Sequence, residues 1–236
     1  GDVYKRQPPM RRSVVVALLC LISAAGLRAS DSPQPTFHDA ITVTEEAPLL
    51  IPVDFGQAVW VDFSIGELEI SAAETDQVRT ELRVRCRNLS PERCDSYSRR
   101  LQLVAETRGD RVAVRLEGLS ARKARKLEVD GRIVVPRWAP LEVRMGIGDL
   151  EIDTSGEKDL TVGMRIGDLK IRVPRQRVSS VDLSVGIGDA GIRGGGVDVE
   201  AKRRKLLGAR ARWASGDGEA HIAAHLGIGD VGVVLE

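Results

Sequence analysis

Five carboxylates recur in one setting, and they are the residues of this chain best placed to do chemistry. Each follows a glycine and lies between two runs of alternating apolar residues. Carboxylates stacked at strand spacing, about 4.8 Å, could hold Ca²⁺ or supply the acid–base pair of a polysaccharide-cleaving enzyme. Glycine and aspartate are also ordinary turn formers, because glycine supplies backbone freedom and aspartate accepts turn N–H groups. The pairs are Gly66 and Glu67, Gly148 and Asp149, Gly167 and Asp168, Gly188 and Asp189, and Gly229 and Asp230.

The remaining residues form no strong catalytic or metal-binding pattern. His221 and His225 are four residues apart, which on a helix would suggest a metal pair. The alternation around them predicts a strand instead, where they face outward about 13 Å apart. Sequence motifs of zinc proteases, serine hydrolases and phosphate loops are missing. We therefore predict no catalytic residue, no metal and no cofactor, and we interpret the Gly–acid pairs as structural corners.

Two basic runs and one tryptophan are candidates for contact with a partner. The runs at 122–126 and 202–205 could touch anionic glycans or lipid headgroups, although short charge runs are usually solvated loops. Trp60 lies between two inward valines and so faces outward, where it could stack on a ligand or be covered by residues 37–50. The 35 Lys+Arg and 34 Asp+Glu nearly cancel. This balance argues against a nucleic-acid partner.

The elements that must position the corners are strands. When the five segments are aligned on the acid, apolar residues recur eight, six, four and two positions before it and one and three positions after it. Period two predicts a strand with one buried face on each side of the corner. We call each segment a unit, made of a first arm, a corner and a second arm, and name it by its acid. The position two before the acid is always isoleucine: Ile65, Ile147, Ile166, Ile187 and Ile228.

The spacing of the units suits two architectures. Asp149, Asp168 and Asp189 are 19 and 21 residues apart, and the 41 residues from Asp189 to Asp230 leave room for a degenerate unit at 207–213. One architecture is a β-solenoid whose rungs of about 20 residues stack on one another. The other is an antiparallel β-sandwich of hairpins with Gly-Asp turns. In either case the units must share a core, because about six buried aliphatics cannot offset the backbone entropy of about 20 residues.

The strand–Gly-Asp–strand units resemble the putative adhesin family of exported bacterial repeat domains over residues 37–236. The segment IVVP at 133–136 leads into LEV at 141–143, and IRVP at 171–174 leads into VDL at 181–183. The resemblance implies an all-β, single-stranded, β-helix-like solenoid, which favours the first architecture. It implies no catalytic residues, because the family has no assigned biochemical function.

The N-terminal residues are typical of an export signal. Residues 1–9 precede the first methionine and are interpreted as upstream read-through, and residues 10–29 as a signal peptide with Arg11, Arg12 and a short apolar run. Residues 30–36 form a polar leader. The apolar run within residues 10–29 is too short for a membrane span. We expect export to the periplasm, the cell surface or the medium, with no transmembrane span in the mature chain.

Two cysteines remain after the signal, and they suit an oxidising compartment. Cys86 ends an alternating strand, and Ser90 with Pro91 predicts a helix start before Cys94. We predict a Cys86–Cys94 disulfide that joins the strand to this helix. Two strands, at 101–107 and 112–116, should follow and be joined through residues 108–110.

These features predict one β-repeat domain, residues 37–236, that acts as a non-enzymatic adhesin-like binding or structural module of the cell envelope. Its partner would be an unknown envelope protein or glycan, with Trp60 as a possible contact. Two alternatives stay open. One is a periplasmic regulatory or scaffold partner of an envelope protein, and the other is a polysaccharide-active enzyme that uses the corner carboxylates.

If the alternating pattern runs unbroken to the corner, Ile147 is buried. The substitution Ile147→Asp would then bury an unpaired charge and unfold the domain. A soluble, cooperatively unfolding variant would show that this face is not buried.

Overall fold

One mixed β-sheet joins every described strand, and the sheet is not closed. The computed structural model describes residues 48–86, 89–118, 126–203, 208–214 and 218–236. All of them belong to the compact unit Phe37–Glu236. The predicted read-through, signal and leader segments lie outside the described residues, as do residues 122–125 and 204–205 of the basic runs.

The strands follow the predicted apolar alternation and account for most of the chain. In order they are β1 (Leu49–Pro52), β2 (Ala58–Ala73), β3 (Gln77–Cys86), β4 (Gln102–Arg108), β5 (Arg111–Glu117), β6 (Leu127–Pro136), β7 (Leu141–Asp153), β8 (Leu160–Ile166), β9 (Leu169–Val173), β10 (Val178–Ile187), β11 (Ala190–Gly194), β12 (Val197–Glu200), β13 (Lys202–Arg203), β14 (Ala209–Ala214), β15 (Ala220–Ile228) and β16 (Val231–Leu235). One helix, α1 (Pro91–Ser98), and a 3-10 turn at Arg175–Arg177 complete the described elements. The predicted all-β class is confirmed.

Neighbouring units pair in parallel, in the register that alignment on the acid predicts. Val59 lies opposite Leu141, which in turn lies opposite Leu160. The second arms keep the same register, with Leu150 opposite both Leu68 and Leu169. Among the described strands, the two arms of a unit pair with neighbouring strands and never with each other. Equivalent arms of different units therefore pair side by side in the sheet.

The order of the stack differs from the order of the chain. A solenoid in which each rung stacks on its neighbour would place successive units side by side, and this is not the case at the C-terminal side. The Asp230 unit, β15 and β16, lies between the Asp168 unit (β8, β9) and the Asp189 unit (β10, β11). After the Asp189 unit the chain forms β12 to β14, which pair antiparallel on the outer side of that unit, and only then returns. Residues 209–214 are thus an antiparallel end strand and not the degenerate unit expected at 207–213.

The other end of the stack contains a sixth unit that the motif missed. Strands β5 and β6 pair in parallel with the two arms of β2, and Asp130 lies opposite Glu67. In the sequence, nine residues separate the end of β5 from the start of β6, and no Gly-acid pair precedes Asp130. Strands β4 and β3 then cover the unit by antiparallel pairing. The predicted pair of strands around residues 108–110 is confirmed as the β4–β5 hairpin.

Helix α1 connects β3 to β4 and carries the predicted disulfide. Cys86 and Cys94 are bonded, with their Cα atoms 5.8 Å apart. Ser90 occupies the N-cap position, but its hydroxyl does not bond a helix N–H as we expected. The pKa of Glu92 is lowered, first by a backbone hydrogen bond and then by the side chain of Ser90.

The core contains the aligned apolar rows, with one exception. Positions eight, six and four before the acid and one and three after it are buried across the units. The isoleucines two before the acid are not, and the prediction that this row is buried is wrong. Ile65 and Ile147 are half-buried, and Ile166, Ile228 and Ile187 are 43%, 46% and 51% exposed. The corner begins directly after the fourth residue before the acid, so the inward alternation ends there and resumes only past the acid.

In the part of the chain that the structure describes, no helix is long and apolar enough to cross a bilayer.

The position in this strand where a charged substitution should unfold the domain is therefore Ile152, in the second arm of the Asp149 unit. Ile152 has no exposed surface, whereas Ile147 in the same strand is half-buried. We expect Ile152→Asp to abolish cooperative unfolding because it buries a charge with no partner. Ile147→Asp should remain folded, contrary to the sequence-based expectation. Thermal melts followed by circular dichroism compare the two, and equal loss in both would contradict this division of the strand.

A carboxylate–guanidinium cluster attaches the end strand β14 to the stack. Asp182 in β10 accepts hydrogen bonds from Arg210, at 3.0 and 3.1 Å, and from Arg212, at 2.8 Å. The hydrogen bond from Arg210 lowers the pKa of Asp182, partial desolvation opposes the shift, and the positive charges of both arginines add to it.

Because the folded-state pKa of Asp182 is depressed, its contribution to stability is present above the unfolded value, about 3.9, and disappears as pH falls through the folded value. We expect Asp182→Asn to lose about 1 kcal/mol or less of stability at neutral pH, since the group is partly exposed. The wild type and the variant should converge below pH 4. Denaturant melts at pH 7 and pH 3 measure this, and a difference that persists unchanged at pH 3 would contradict it.

Candidate functional site

The corners bring neighbouring units so close that only glycine fits. The glycine before each acid has φ between 129° and 136°, a region that side-chain-bearing residues rarely adopt. A Cβ built there would also lie against a carbonyl oxygen of the next unit. The distance would be 1.7 Å at Gly148 and Gly167, 1.8 Å at Gly188 and Gly229, and 2.2 Å at Gly66. We call these five residues the glycine row.

The corner acids line up and connect the units to one another. The carboxylate of Asp149 accepts the backbone N–H of Asp168 at 3.3 Å, and that of Asp168 accepts the N–H of Asp230 at 3.1 Å. Asp230 continues the series to the N–H of Asp189 at 2.9 Å. We call Glu67, Asp149, Asp168, Asp230 and Asp189 the acid row, in stack order.

The backbone completes each of these links in the opposite direction. The N–H of Leu150 bonds the carbonyl of Asp168, and the N–H of Leu169 bonds that of Asp230, both at 2.9 Å. At the corner, the backbone pairing between strands leaves one N–H without a carbonyl acceptor, and the aspartate carboxylate accepts that N–H instead. We expected the acid to face solvent or to accept N–H groups of its own turn, whereas the N–H donor belongs to the neighbouring unit.

The acid row borders a groove with a strong negative bias. Across the described residues, Asp149, Asp168 and Asp230 make no ion pair, so their charges stay uncompensated. The groove has a volume of about 1160 Å³ and runs over the outer side of the second arms from β3 to β12. Ten acidic and four basic side chains line it, a net charge of −6, whereas the whole chain carries +1. The acidic side chains are thus concentrated on this side of the stack.

The isoleucines form a second continuous row beside the glycines. Register pairs them directly, Ile65 with Ile147, Ile147 with Ile166, Ile166 with Ile228, and Ile228 with Ile187. We call them the isoleucine row, and we call the isoleucine, glycine and acid rows together the corner ridge. Four steps of about 4.8 Å make the ridge about 19 Å long. The constant isoleucine is visible in the sequence, but continued period-two alternation assigns it to the core and not to an apolar surface.

Trp60 faces outward as predicted, but its ring is not fully exposed to solvent. It is half-buried between Ala113 and Glu142 of the adjacent strands, and the guanidinium of Arg144 lies 5.7 Å from its ring centroid. Its indole N–H is buried and has no hydrogen-bond partner within the described part of the chain. Residues 37–47, which we considered as its cover, lie outside the described residues.

The two histidines face outward and pair with serines of the neighbouring strand. Nδ1 of His221 lies 2.6 Å from the hydroxyl of Ser180, and Nδ1 of His225 lies 3.0 Å from that of Ser184. Asp159 accepts the backbone N–H of His221 and not a ring N–H. A carboxylate that orients the ring, as in a catalytic triad, is thus not provided by Asp159. Among the described residues, no three His, Cys, Asp or Glu side chains are grouped to hold a metal.

An aromatic pair outside the corner ridge, with one exposed and one half-buried member, was also missed. Phe55, at the turn between β1 and β2, is 90% exposed, and its ring centroid lies 5.6 Å from that of Trp138. Neither residue lies in a repeat position, so the alignment of units carried no signal for them.

Comparison with known proteins finds solved structures with weak similarity to this chain, at very low sequence identity. No family model matches the chain, and no curated protein matches it. A putative cell adhesion protein from Clostridium sporogenes is 13% identical with a TM-score of 0.45, covering 80% of this chain and 100% of that one. A putative adhesin from Parabacteroides merdae is 8% identical with a TM-score of 0.27, covering 79% and 80%. A putative lipid binding protein from Parabacteroides distasonis is 9% identical with a TM-score of 0.23, covering 79% and 96%.

The glycine row yields a matched pair of substitutions. Gly148→Ala should lower the free energy of unfolding by on the order of 3 kcal/mol, through backbone strain and the clash with the carbonyl of Gly66. Gly163 lies in an adjacent strand, has an ordinary φ, and its added Cβ would meet nothing within 4 Å. Gly163→Ala should therefore raise stability by about 0.5–1 kcal/mol. Urea melts distinguish the two, and similar effects would show that the corner does not require glycine.

Proposed function

We propose that this chain is a non-enzymatic binding or structural module of the bacterial cell envelope, carried on a β-solenoid-like stack. The parallel, in-register pairing of like arms supports the solenoid interpretation, because hairpins would pair the two arms of one unit. The units share one core, as expected of stacked repeats.

The observation that carries the proposal is the exposed isoleucine row. Five large aliphatic side chains occupy one row in register, and three of them are more than 40% exposed. The same chain hides its other repeated apolar rows almost completely. Ordered apolar surface of this kind on a soluble domain is typical of a site that contacts a partner.

The acid row supports a structural use of the corner carboxylates in preference to catalysis. Each of Asp149, Asp168 and Asp230 already accepts a backbone N–H of the next unit. Holding the stack together accounts for aspartate at these positions without any reaction. Turn and ladder chemistry is therefore the role we assign to the Gly–acid corners.

The disulfide supports location outside the cytoplasm. Cys86–Cys94 is bonded, and such bonds persist mainly in oxidising compartments. We place the mature chain, after removal of the signal proposed at residues 10–29, in the periplasm, at the cell surface or in the medium. Its partner is an envelope protein or a glycan, and Trp60 on the first arms is a second contact candidate.

Sedimentation with a bacterial envelope fraction tests the binding module. We expect the wild type to co-sediment and the variant I166T/I187T/I228T to lose at least 80% of the bound fraction. Threonine keeps the β-branched shape while removing apolar surface, so the fold should be preserved. Control variants L49T/L50T, at exposed apolar positions away from the ridge, and E142Q/R144Q, on the first arms, should bind as the wild type does. Loss in E142Q/R144Q alone would move the site to the Trp60 face, and binding unaffected by the isoleucine variant would contradict the proposal.

A further inference from the structure

We propose that the corner ridge binds a cationic amphipathic α-helix, which lies along the stack with apolar side chains on the isoleucine row and Lys or Arg on the acid row. The inference rests on the proposed binding function and names its partner's chemistry. It follows from the juxtaposition of an exposed apolar row and an anionic row, with only the glycine row between them. Within the described residues, Asp149, Asp168 and Asp230 of the anionic row make no ion pair.

The two rows are close enough for one partner to touch both. Isoleucine and acid are two residues apart in every unit, so their Cα atoms lie within about 7 Å of each other. The carboxylates of Asp149, Asp168 and Asp230 are held along the stack by the N–H groups that they accept. The negative charges therefore follow the ridge in a line parallel to the isoleucines.

The backbone of the ridge favours a helix over an extended strand as the occupant. At the corners the described N–H and C=O groups are bonded between units, as the N–H of Gly167 is to Ile228 and that of Gly229 to Ile187. A strand laid across the stack would find no ladder partner there, and its own backbone groups would stay unpaired. A helix satisfies its backbone internally, and groove-binding helices dock through one apolar face.

The dimensions of the ridge suit such a helix. A ridge of about 19 Å corresponds to about 13 helical residues, or between three and four turns. The isoleucines recur about every 4.8 Å, and a helix presents its apolar stripe with a pitch of about 5.4 Å. Successive apolar turns can therefore lie between successive isoleucines over this short length.

Charge sets the sign of the partner. Asp149, Asp168 and Asp230 make no ion pair across the described residues, and the adjoining groove carries a net −6. A cationic stripe would be attracted along the whole ridge, and an anionic membrane or glycan would be repelled. A second copy docked ridge to ridge would bring a second acid row close to the first, and like charges repel.

The test uses a defined amphipathic peptide with two matched peptides. The probe is a fluorescein-labelled, amidated LKKLLKLLKKLLKL, which places leucine on one helical face and lysine on the other. LEELLELLEELLEL keeps the helix period and reverses the charge, and LKLKLKLKLKLKLL keeps the composition but has strand period. We expect fluorescence anisotropy at 50 mM salt to show binding of the first peptide at least tenfold tighter than that of either control.

Variants of the protein separate the two rows. I166T/I187T/I228T should weaken binding at least tenfold at any salt concentration. D168N/D230N keeps the amide oxygen as acceptor for the neighbouring N–H, so it should stay folded, weaken binding about threefold or more, and reduce its salt dependence. L49T/L50T should bind like the wild type, and thermal melts confirm that each variant is folded.

Several results would overturn the inference. Equal binding of the acidic or the alternating peptide would remove the charge or the helix from the proposal. Peptide binding that is unchanged in the isoleucine variant would place the site elsewhere. If the wild type dimerises in analytical ultracentrifugation through the isoleucine row and binds no peptide, the occupant is a second copy. If envelope binding depends on the isoleucine row while no peptide binds, the proposed function stands and this inference fails.

Discussion

The close approach of neighbouring units at the corner is the constraint on which the rest of the structure depends. An added Cβ at Gly148, Gly167, Gly188 or Gly229 would overlap a carbonyl oxygen of the adjacent unit. Glycine is therefore required by distance as well as by φ. With no side chain at this position, the carboxylate of the next residue reaches across to the neighbouring backbone, and the isoleucine before it lies at the margin of the core. The ordered surface of the ridge is thus a by-product of how the corner is closed.

The ends of the stack are protected by the path of the chain. A bare strand edge invites pairing with another molecule. Here antiparallel strands cover both end units, β3 and β4 at one end and β12 and β14 at the other. The chain path is nearly symmetric, because the first unit along the chain and the last are each placed one position in from an end. At each end, the chain leaves an inner unit, forms the outermost unit and the strands that cover it, and then returns to form the next inner unit.

The sequence was most informative where a local constraint repeats. Alignment on the acid predicted the register of the strands and most core rows, since glycine and alternating aliphatics directly reflect backbone and burial. The disulfide was predicted separately, from the two cysteines that remain after the signal. The isoleucine row was misassigned because period two was continued through a corner that interrupts it. The Asp130 unit escaped notice because residues 118–126 separate its arms. The order of the units was wrong because units adjacent in sequence were assumed to pair with each other. The apolar rows are equivalent in every unit, so the Asp230 unit can pair with units on either side. For the candidate site, the alignment showed that the isoleucine is constant but did not show that its side chain is exposed.

The insertion of the Asp230 unit between two earlier layers has a consequence for synthesis. When a ribosome has released residues up to about 200, the Asp168 and Asp189 units both exist, but neither can complete its pairing. Each of these two units then has an unpaired strand edge. In the folded domain, residues 220–235 pair in parallel with both edges. The C-terminal half of the domain must therefore wait for the last strands to be translated, and a chain terminated early has an open slot inside it and is not simply a shorter stack.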